Sequence, residues 1–431
     1  MTNIEGIEKL RDVFGVVREL PLSYVARDGV DQKFIDNLTR DKHIVIYGSS
    51  KQGKTTLRKH CLTEDDYIVV SCLNTMGLDD LHGAVLKQAG YRLEKTEIKT
   101  VGGHWKYGAE FHGEGRVPLL AAASASGNIE HGSTDKIETQ RARLELDLFD
   151  VNDIIAALKE ANFSKYIILE DFHYLPVDTQ RNFAFALKAF HENASICFVV
   201  VGVWREKNRL IYYNGDLTSR VVSIDVDIWS SEELKAVIKA GEPILNIKVA
   251  DDTVDALTKD CFESVSLLQE ACYRICEGAN VYETQSAYRE IGGGVNTKEL
   301  VRDIVNDQAG RYSAFVTNFS EGFQDTELEM YKWLVYAVLS SSVHDLETGL
   351  RRAQVSSLIK RKHPLGDKLN EGNITQALQN AAALQVQKSI RPIIFDYDQT
   401  TRVFHVVDRS FLIWLAYQDT NDLLLELGLG E

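Results

Sequence analysis

Hydrophobic positions in the first half of the chain fall into short, β-branched runs separated by amphipathic stretches. "HIVIY" (43–47), "YIVVSCL" (67–73), "YIILEDFHYL" (166–175), "ICFVVVGVW" (196–204) and "LTSRVVSIDVDIW" (217–229) read as five strands. They alternate little, as strands buried on both faces do. Between them, "LDDLHGAVLKQAG" (78–90), "VNDIIAALKEANF" (151–163) and residues 178–192 read as helices. Strands alternating with helices predict a parallel sheet covered on both sides, the α/β class.

Two stretches depart from this rhythm. From about 94 to 145, glycines and small residues dominate, and Trp105, Tyr107, Ala109 and Phe111 alternate. The spacing suggests a β-hairpin with one apolar face, inserted into the core; the composition equally suits a loop without regular structure. From 231 the strands are expected to stop. "SEELKAVIKAG" opens with a Ser-x-x-Glu cap signal at Ser230 or Ser231, and helices continue to about 290, where "GGG" (292–294) breaks the chain. Beyond it, "LEMYKWLVYAVLSS" reads as an amphipathic helix with Leu328, Tyr331, Leu334, Val335 and Val338 on one face. "RRAQVSSLIKRK" and "NITQALQNAAALQ" read as two more helices, "IRPIIFDYD" and "RVFHVVD" as a hairpin, and "SFLIWLAY" as a closing helix. Three helices and a hairpin predict a winged helix. The expected organisation is a core over 1–230 with an insert at about 94–145, a helical lid over 231–310, and a winged-helix domain over 311–431.

Composition narrows the partners. The 431 residues hold 48 basic and 63 acidic side chains, a formal net charge of −15. Such a balance argues against a general nucleic-acid binder. Residues 325–420, however, carry 11 acidic and 11 basic side chains, so the rest of the chain bears the whole excess. No apolar run approaches a membrane span, and "MTNIEGIEKLRDVFG" is too mixed and charged for a signal peptide. Six scattered cysteines without a C-x-x-C pair read as free thiols in a reducing cytoplasm.

The chemistry begins at "GSSKQGKTT". Gly48, Ser49, Ser50, Lys51, Gln52, Gly53, Lys54 and Thr55 complete G-x-x-x-x-G-K-[ST] between a strand and a helix, and Thr56 follows. Glycines let backbone N–H groups converge on phosphate oxygens, and the helix start adds its positive end. Lys54 is expected to reach the β- and γ-phosphates of ATP, and the Thr55 hydroxyl to ligate Mg²⁺. "IILED" supplies two carboxylates at a strand end. Glu170 is read as the metal residue and Asp171 as the one that polarises water, an order in which the two roles can also be exchanged. His173 reads as a surface histidine.

With these motifs the chain resembles the AAA+ and STAND ATPases. Within them it is most similar to archaeal and bacterial ATPases with a C-terminal winged helix and to origin-recognition initiators. "YVARDGVDQKFIDNL" resembles the segment whose backbone packs on adenine, with Val25 and Arg27 at the matching positions. "LTSRV" resembles the segment carrying an arginine finger, which places Arg220 in that role. "VVDRSFLIWLAY" looks like the closing strand and helix. Three features depart from the pattern. "CFESVSLLQ" stands where STAND lids carry Gly-x-Pro, no arginine clearly fills the second sensor, and Arg205 and Asn208 both compete for the first. The resemblance implies an ATP-hydrolysing regulatory switch that assembles with a protein partner and with copies of itself. The alternative is a DNA-associated loader or regulator. Arg351, Arg352, Lys360, Arg361, Lys362 and Lys368 would serve it, although the third helix offers only Asn373, Gln376, Gln379 and Asn380 to bases.

Overall fold

The computed structural model describes residues 6–16, 19–100, 102–112, 144–227, 229–323 and 326–430. Five strands form the central sheet: β1 (His43–Gly48), β2 (Tyr67–Ser71), β6 (Tyr166–Glu170), β7 (Phe198–Val203) and β8 (Val221–Asp225). Their order is β2-β6-β7-β1-β8, with every pairing parallel. β1 and β7 are buried along their whole length. Alternate side chains feed two cores. Ile44, Ile46, Val199 and Val201 meet Phe34 and Leu57 on one face. Val45, Tyr47, Phe198 and Val200 meet Phe183, Leu187 and Phe190 of helix Val177–Asn193 on the other. The period of two thus explains why these runs look continuously apolar.

The insert is a three-stranded antiparallel sheet of β3 (Tyr91–Lys99), β4 (Trp105–Phe111) and β5 (Leu144–Asp147), with β4 in the centre. The expected alternation is present. Tyr91, Ala109 and Leu146 join the core, the Tyr91 hydroxyl donates to Ala157 O at 2.6 Å, and Trp105 stands 38% exposed at the far end. The unstructured alternative fails for the described part, while residues 113–143 lie outside the described residues.

Strands do not stop at 231. Helix Ser231–Leu245 ends at Asn246 in the left-handed conformation, a common helix terminus. β9 (Ile247–Val249) then pairs in parallel with β10 (Arg289–Ile291). Strands of three residues are too short to leave a periodic signal, which is why the sequence reading misses them. The cap resolves to Ser230. Its hydroxyl accepts from Glu233 N–H at 3.2 Å, and the Glu233 carboxylate accepts from Ser230 N–H at 2.7 Å.

In the C-terminal part the elements run helix Met330–Leu339, β11 (Leu350–Arg351), helix Arg352–Lys362, helix Glu371–Gln379, β12 (Phe395–Asp398), β13 (Val403–Val406) and helix Arg409–Ala416. The third expected helix is interrupted at Asn380 and resumes as Ala381–Gln387. β11 adds an unexpected strand beside the hairpin. The first helix is not amphipathic: all of Trp333 to Leu339 is buried, because it forms the centre of the module. Helix Ala309–Ser320 welds this module to the helices before it. Its Tyr312 packs on Trp414 (5.5 Å between centroids) and its Phe315 on Phe395 (4.9 Å), within one continuous core. No helix among the described residues is long and apolar enough to cross a membrane. All six cysteines are free, and Cys72, Cys261, Cys272 and Cys276 are buried.

β7 ends beneath a tryptophan. A Cβ on Gly202 would lie 1.6 Å from the ring of Trp204, which is fully buried. Gly202→Ala is therefore expected to destabilise the core by at least about 1–3 kcal/mol, the usual range for overpacking. A lower urea midpoint, read by circular dichroism, checks this.

Candidate nucleotide-binding site

The glycine-rich loop leaves β1 at Gly48 with φ 148°. A Cβ there would stand 2.8 Å from Val226 Cγ2 and 2.9 Å from Asp227 Oδ1, so no larger residue fits. Lys51 and Gly53 are also left-handed, and Gly53 opens helix Lys54–Cys61. Such reversals turn successive N–H groups inward, the geometry of an anion nest. Asp227 fixes the loop from behind. Its carboxylate accepts from Ser49 N–H (2.6 Å), Ser49 Oγ (2.8 Å) and Arg205 Nη1 (2.5 Å).

Lys54 donates from Nζ to Ser49 O at 2.5 Å and Gly48 O at 3.1 Å. Burial pushes it down to about 8, against the pull of Asp227, Glu170 and Asp171. It remains mostly protonated at neutral pH. Ser50 N–H donates to Val407 O at 3.3 Å, across to the C-terminal module. Buried Gln52 reaches Glu263 O at 3.4 Å, while its own Oε1 has no partner.

In front of the loop lies a cavity of about 470 Å³, within the range of small-molecule sites. Ser50 to Thr56 and Asp171 line one side; Val265, Gln269 and Arg274 of helix Val265–Gly278 line another, with Ser410 beside them. A side pocket of about 40 Å³ opens past Gly53 and Thr56, lined by Val25, Arg27 and Trp229. The Arg27 guanidinium is buried 3.9 Å from the Trp229 ring centroid and donates to Val226 O at 3.0 Å. Val25 and Arg27 thus stand beside the loop, with the arginine side chain turned to Trp229.

The two carboxylates at the end of β6 diverge. Glu170 accepts from Arg58 Nε at 3.0 Å, with both side chains largely buried. Asp171 takes φ 58°, which an aspartate tolerates, and faces the cavity. Burial raises both carboxyls; Arg58 opposes this at Glu170, and Lys54 and Arg391 oppose it at Asp171. Thr55 and Asp171 share the cavity lining, so a hard cation bound with nucleotide would find one hydroxyl and one carboxylate there. Glu170, expected as the metal residue, is turned to Arg58 instead.

His173 is a correction. It is 4% exposed, its Nδ1 accepts from Val203 N–H at 3.2 Å, and its Nε2 has no partner. Burial and nearby Lys54 hold it well below the ordinary histidine range. Of the two first-sensor candidates, Arg205 is bound into the loop's support through Asp227, whereas Asn208 is exposed and outside the cavity lining. Arg220 does not reach the loop. It precedes β8 at the opposite end of the sheet and pairs with Glu192 at 2.9 Å, while Asp216 pairs with Lys188 at 2.6 Å. Sequence reasoning missed Asp227, Arg58, Arg274 and Val407. Arg58 alone carried a local signal, one helical turn after Lys54.

No family model matches the sequence, and no curated protein matches it. Solved structures do. A Walker-type ATPase of Pyrococcus abyssi aligns over 94% of this chain and 99% of its own, at 11% identity and a TM-score of 0.54. The ORC2 protein of Aeropyrum pernix aligns over 98% and 99%, at 15% identity and a TM-score of 0.41. The ORC1 protein of the same organism, in complex with DNA, aligns over 97% of both chains, at 10% identity and a TM-score of 0.43. At these identities the likeness concerns the fold, and the first of the three carries it. The chain is similar in fold along nearly its whole length to a Walker-type ATPase.

Proposed function

We propose that the chain is an ATP-binding and ATP-hydrolysing switch, in which filling the loop competes with docking of the C-terminal module. One observation carries this reading: the Ser50 N–H, a donor of the phosphate loop, is taken by the Val407 carbonyl. A single N–H cannot serve a phosphate and that carbonyl at full strength together. Nucleotide binding and docking then oppose one another by linkage.

The docking surface is built to respond. Arg209 lies buried between Glu206 (3.3 Å) and Asp396 of β12 (2.6 Å), and the Thr400 hydroxyl donates to Glu206 at 2.9 Å. Arg391 donates to Asn74 at 3.1 Å. Such a polar seam is specific when satisfied and costly when half broken, so the module should be either seated or released. The released face would be what a protein partner meets.

Within the site, Lys54 and the loop amides would hold the phosphates, and Thr55 with Asp171 would hold Mg²⁺. The metal would neutralise charge on the β- and γ-oxygens. Glu170 is the second acid of the pair. The DNA-associated alternative finds less support. Arg352 and Lys360 are both drawn to Glu371, and the hairpin tip is held by Glu206 through Thr400.

Three outcomes are expected. Lys54→Ala should weaken ATP binding by on the order of 10²-fold, the worth of a charge-assisted hydrogen bond, and abolish turnover. Fluorescence polarisation of a labelled ATP analogue and phosphate release read both. Asp396→Asn should loosen the seam and, with docking weaker, tighten ATP binding by about five- to tenfold; isothermal titration checks this, and weaker binding in a folded variant contradicts it. Arg220, far from its own loop, would serve a neighbouring copy. Specific activity should rise with protein concentration, and Arg220→Ala should lower turnover on the order of 10³-fold with affinity unchanged. Concentration-independent turnover would count against a finger in trans.

A further inference from the structure

The core and the C-terminal module share a second cavity, of about 310 Å³, at the small end of the range for small-molecule sites. His173 and Tyr174, just past β6, line its core side with Tyr213 of helix Arg209–Tyr213; Ala383, Val386 and Tyr397 line the module side. The switch scheme above leaves His173 without a task. It is 4% exposed, and its Nδ1 accepts from Val203 N–H at 3.2 Å. Burial keeps the ring neutral, so its proton sits on Nε2. That N–H has no partner among the described residues, and a buried donor left unanswered costs stability. Arg209 and Asp396 are the only charged side chains in the described lining, and they answer one another at 2.6 Å. Amides line the cavity from both sides: Asn74 from the core, and Gln379, Gln387 and Gln399 from the module. Each carries donors and an acceptor.

We propose that this cavity binds an uncharged nucleoside or its free base, and that the bound molecule pins the C-terminal module to the core. A flat heterocycle uses the tyrosine surface, as bases do on aromatic side chains. Its ring nitrogens and carbonyls match the amides, and one acceptor among them answers the His173 Nε2–H. A wholly apolar ligand would leave those groups unsatisfied. A phosphate would find no spare cation in the lining, because Asp396 already neutralises Arg209. The ligand touches residues on both sides, so it favours the seated arrangement over the released one. The site stands on its own residues. Its consequence for ATP rests on the switch reading, in which whatever holds the module seated weakens nucleotide binding at the loop.

The test titrates the full chain, free of ATP, with adenosine, guanosine, cytidine and uridine by isothermal titration, and locates the bound one by hydrogen exchange. At least one should bind the parent and slow exchange at both 173–180 and 395–406. Two variants check the site. In His173→Asn the amide oxygen can keep the bond from Val203 N–H while the Nε2 donor is lost, and binding should weaken about tenfold. In Ala383→Trp the indole fills the cavity, and binding should disappear. Absence of binding by all four in the parent overturns the proposal. So does protection confined to residues 50–56, which would put the nucleoside at the loop, or undiminished binding in a folded variant of either kind. Those failures leave the ATP reading untouched, since polarisation of a fluorescent ATP analogue measures it separately and depends on Lys54. A saturating nucleoside should also weaken analogue binding in the parent. Unchanged analogue binding with the nucleoside seated at 173–180 and 395–406 overturns the pinning of the switch and keeps the site; a chain that binds no analogue overturns the ATP reading alone.

Discussion

One buried carboxylate supports the site. Asp227, 3% exposed, accepts two hydrogen bonds from Ser49 and one from Arg205. Without it the Ser49 amide and hydroxyl would be buried donors lacking an acceptor, and the loop would lose its shape. The room Asp227 occupies is also why residue 48 must be glycine. Arg205 extends the support outward, since its backbone N–H approaches Asp396 of the C-terminal sheet at 3.4 Å. The glycine-rich loop and the C-terminal module therefore both connect to Arg205, the one through Asp227 and the guanidinium, the other through the backbone N–H. That shared anchor gives the proposed switch its physical basis, because a change at the loop is felt at the seam with no long relay between them.

Much of this was legible in the sequence, for a local reason. The loop motif is contiguous, and its glycines have conformational work that no other residue can do at Gly48. The strands of the central sheet announce themselves because β-branched side chains fill both faces. The hairpin of the insert shows in the alternation of Trp105, Tyr107, Ala109 and Phe111. What stayed hidden depends on contacts far apart in the chain or on single dihedral angles. The sign of φ at Asp171 separates it from Glu170, and no residue pattern encodes that sign. Asp227 looks like any acid in "DVDIW" until Ser49 folds onto it. β9, β10 and β11 are too short to show a period. The helix Met330–Leu339 seemed amphipathic because its polar flanks mask a centre that packs on all sides.

The charges tell a similar story. A basic cluster at 351–368 looked available for phosphates, but Glu371, 19 residues beyond Arg352 and 11 beyond Lys360, draws both in. Arg220, read as reaching a neighbour, rests on Glu192 within its own chain. Exposed pairs of this kind contribute little stability and yield readily to a better partner. The seam through Arg209 is different. It is buried and multiply bonded, and it is the place where seating and release of the module would be decided.

Hydrogen exchange over the hairpin 395–406 tests the central claim most directly, measured on the full chain with and without ATP and Mg²⁺. If the loop and Val407 compete, ATP should speed exchange across β12 and β13 in the parent and leave it unchanged in Lys54→Ala. Exchange that is unaltered or slowed while ATP is demonstrably bound would contradict the account.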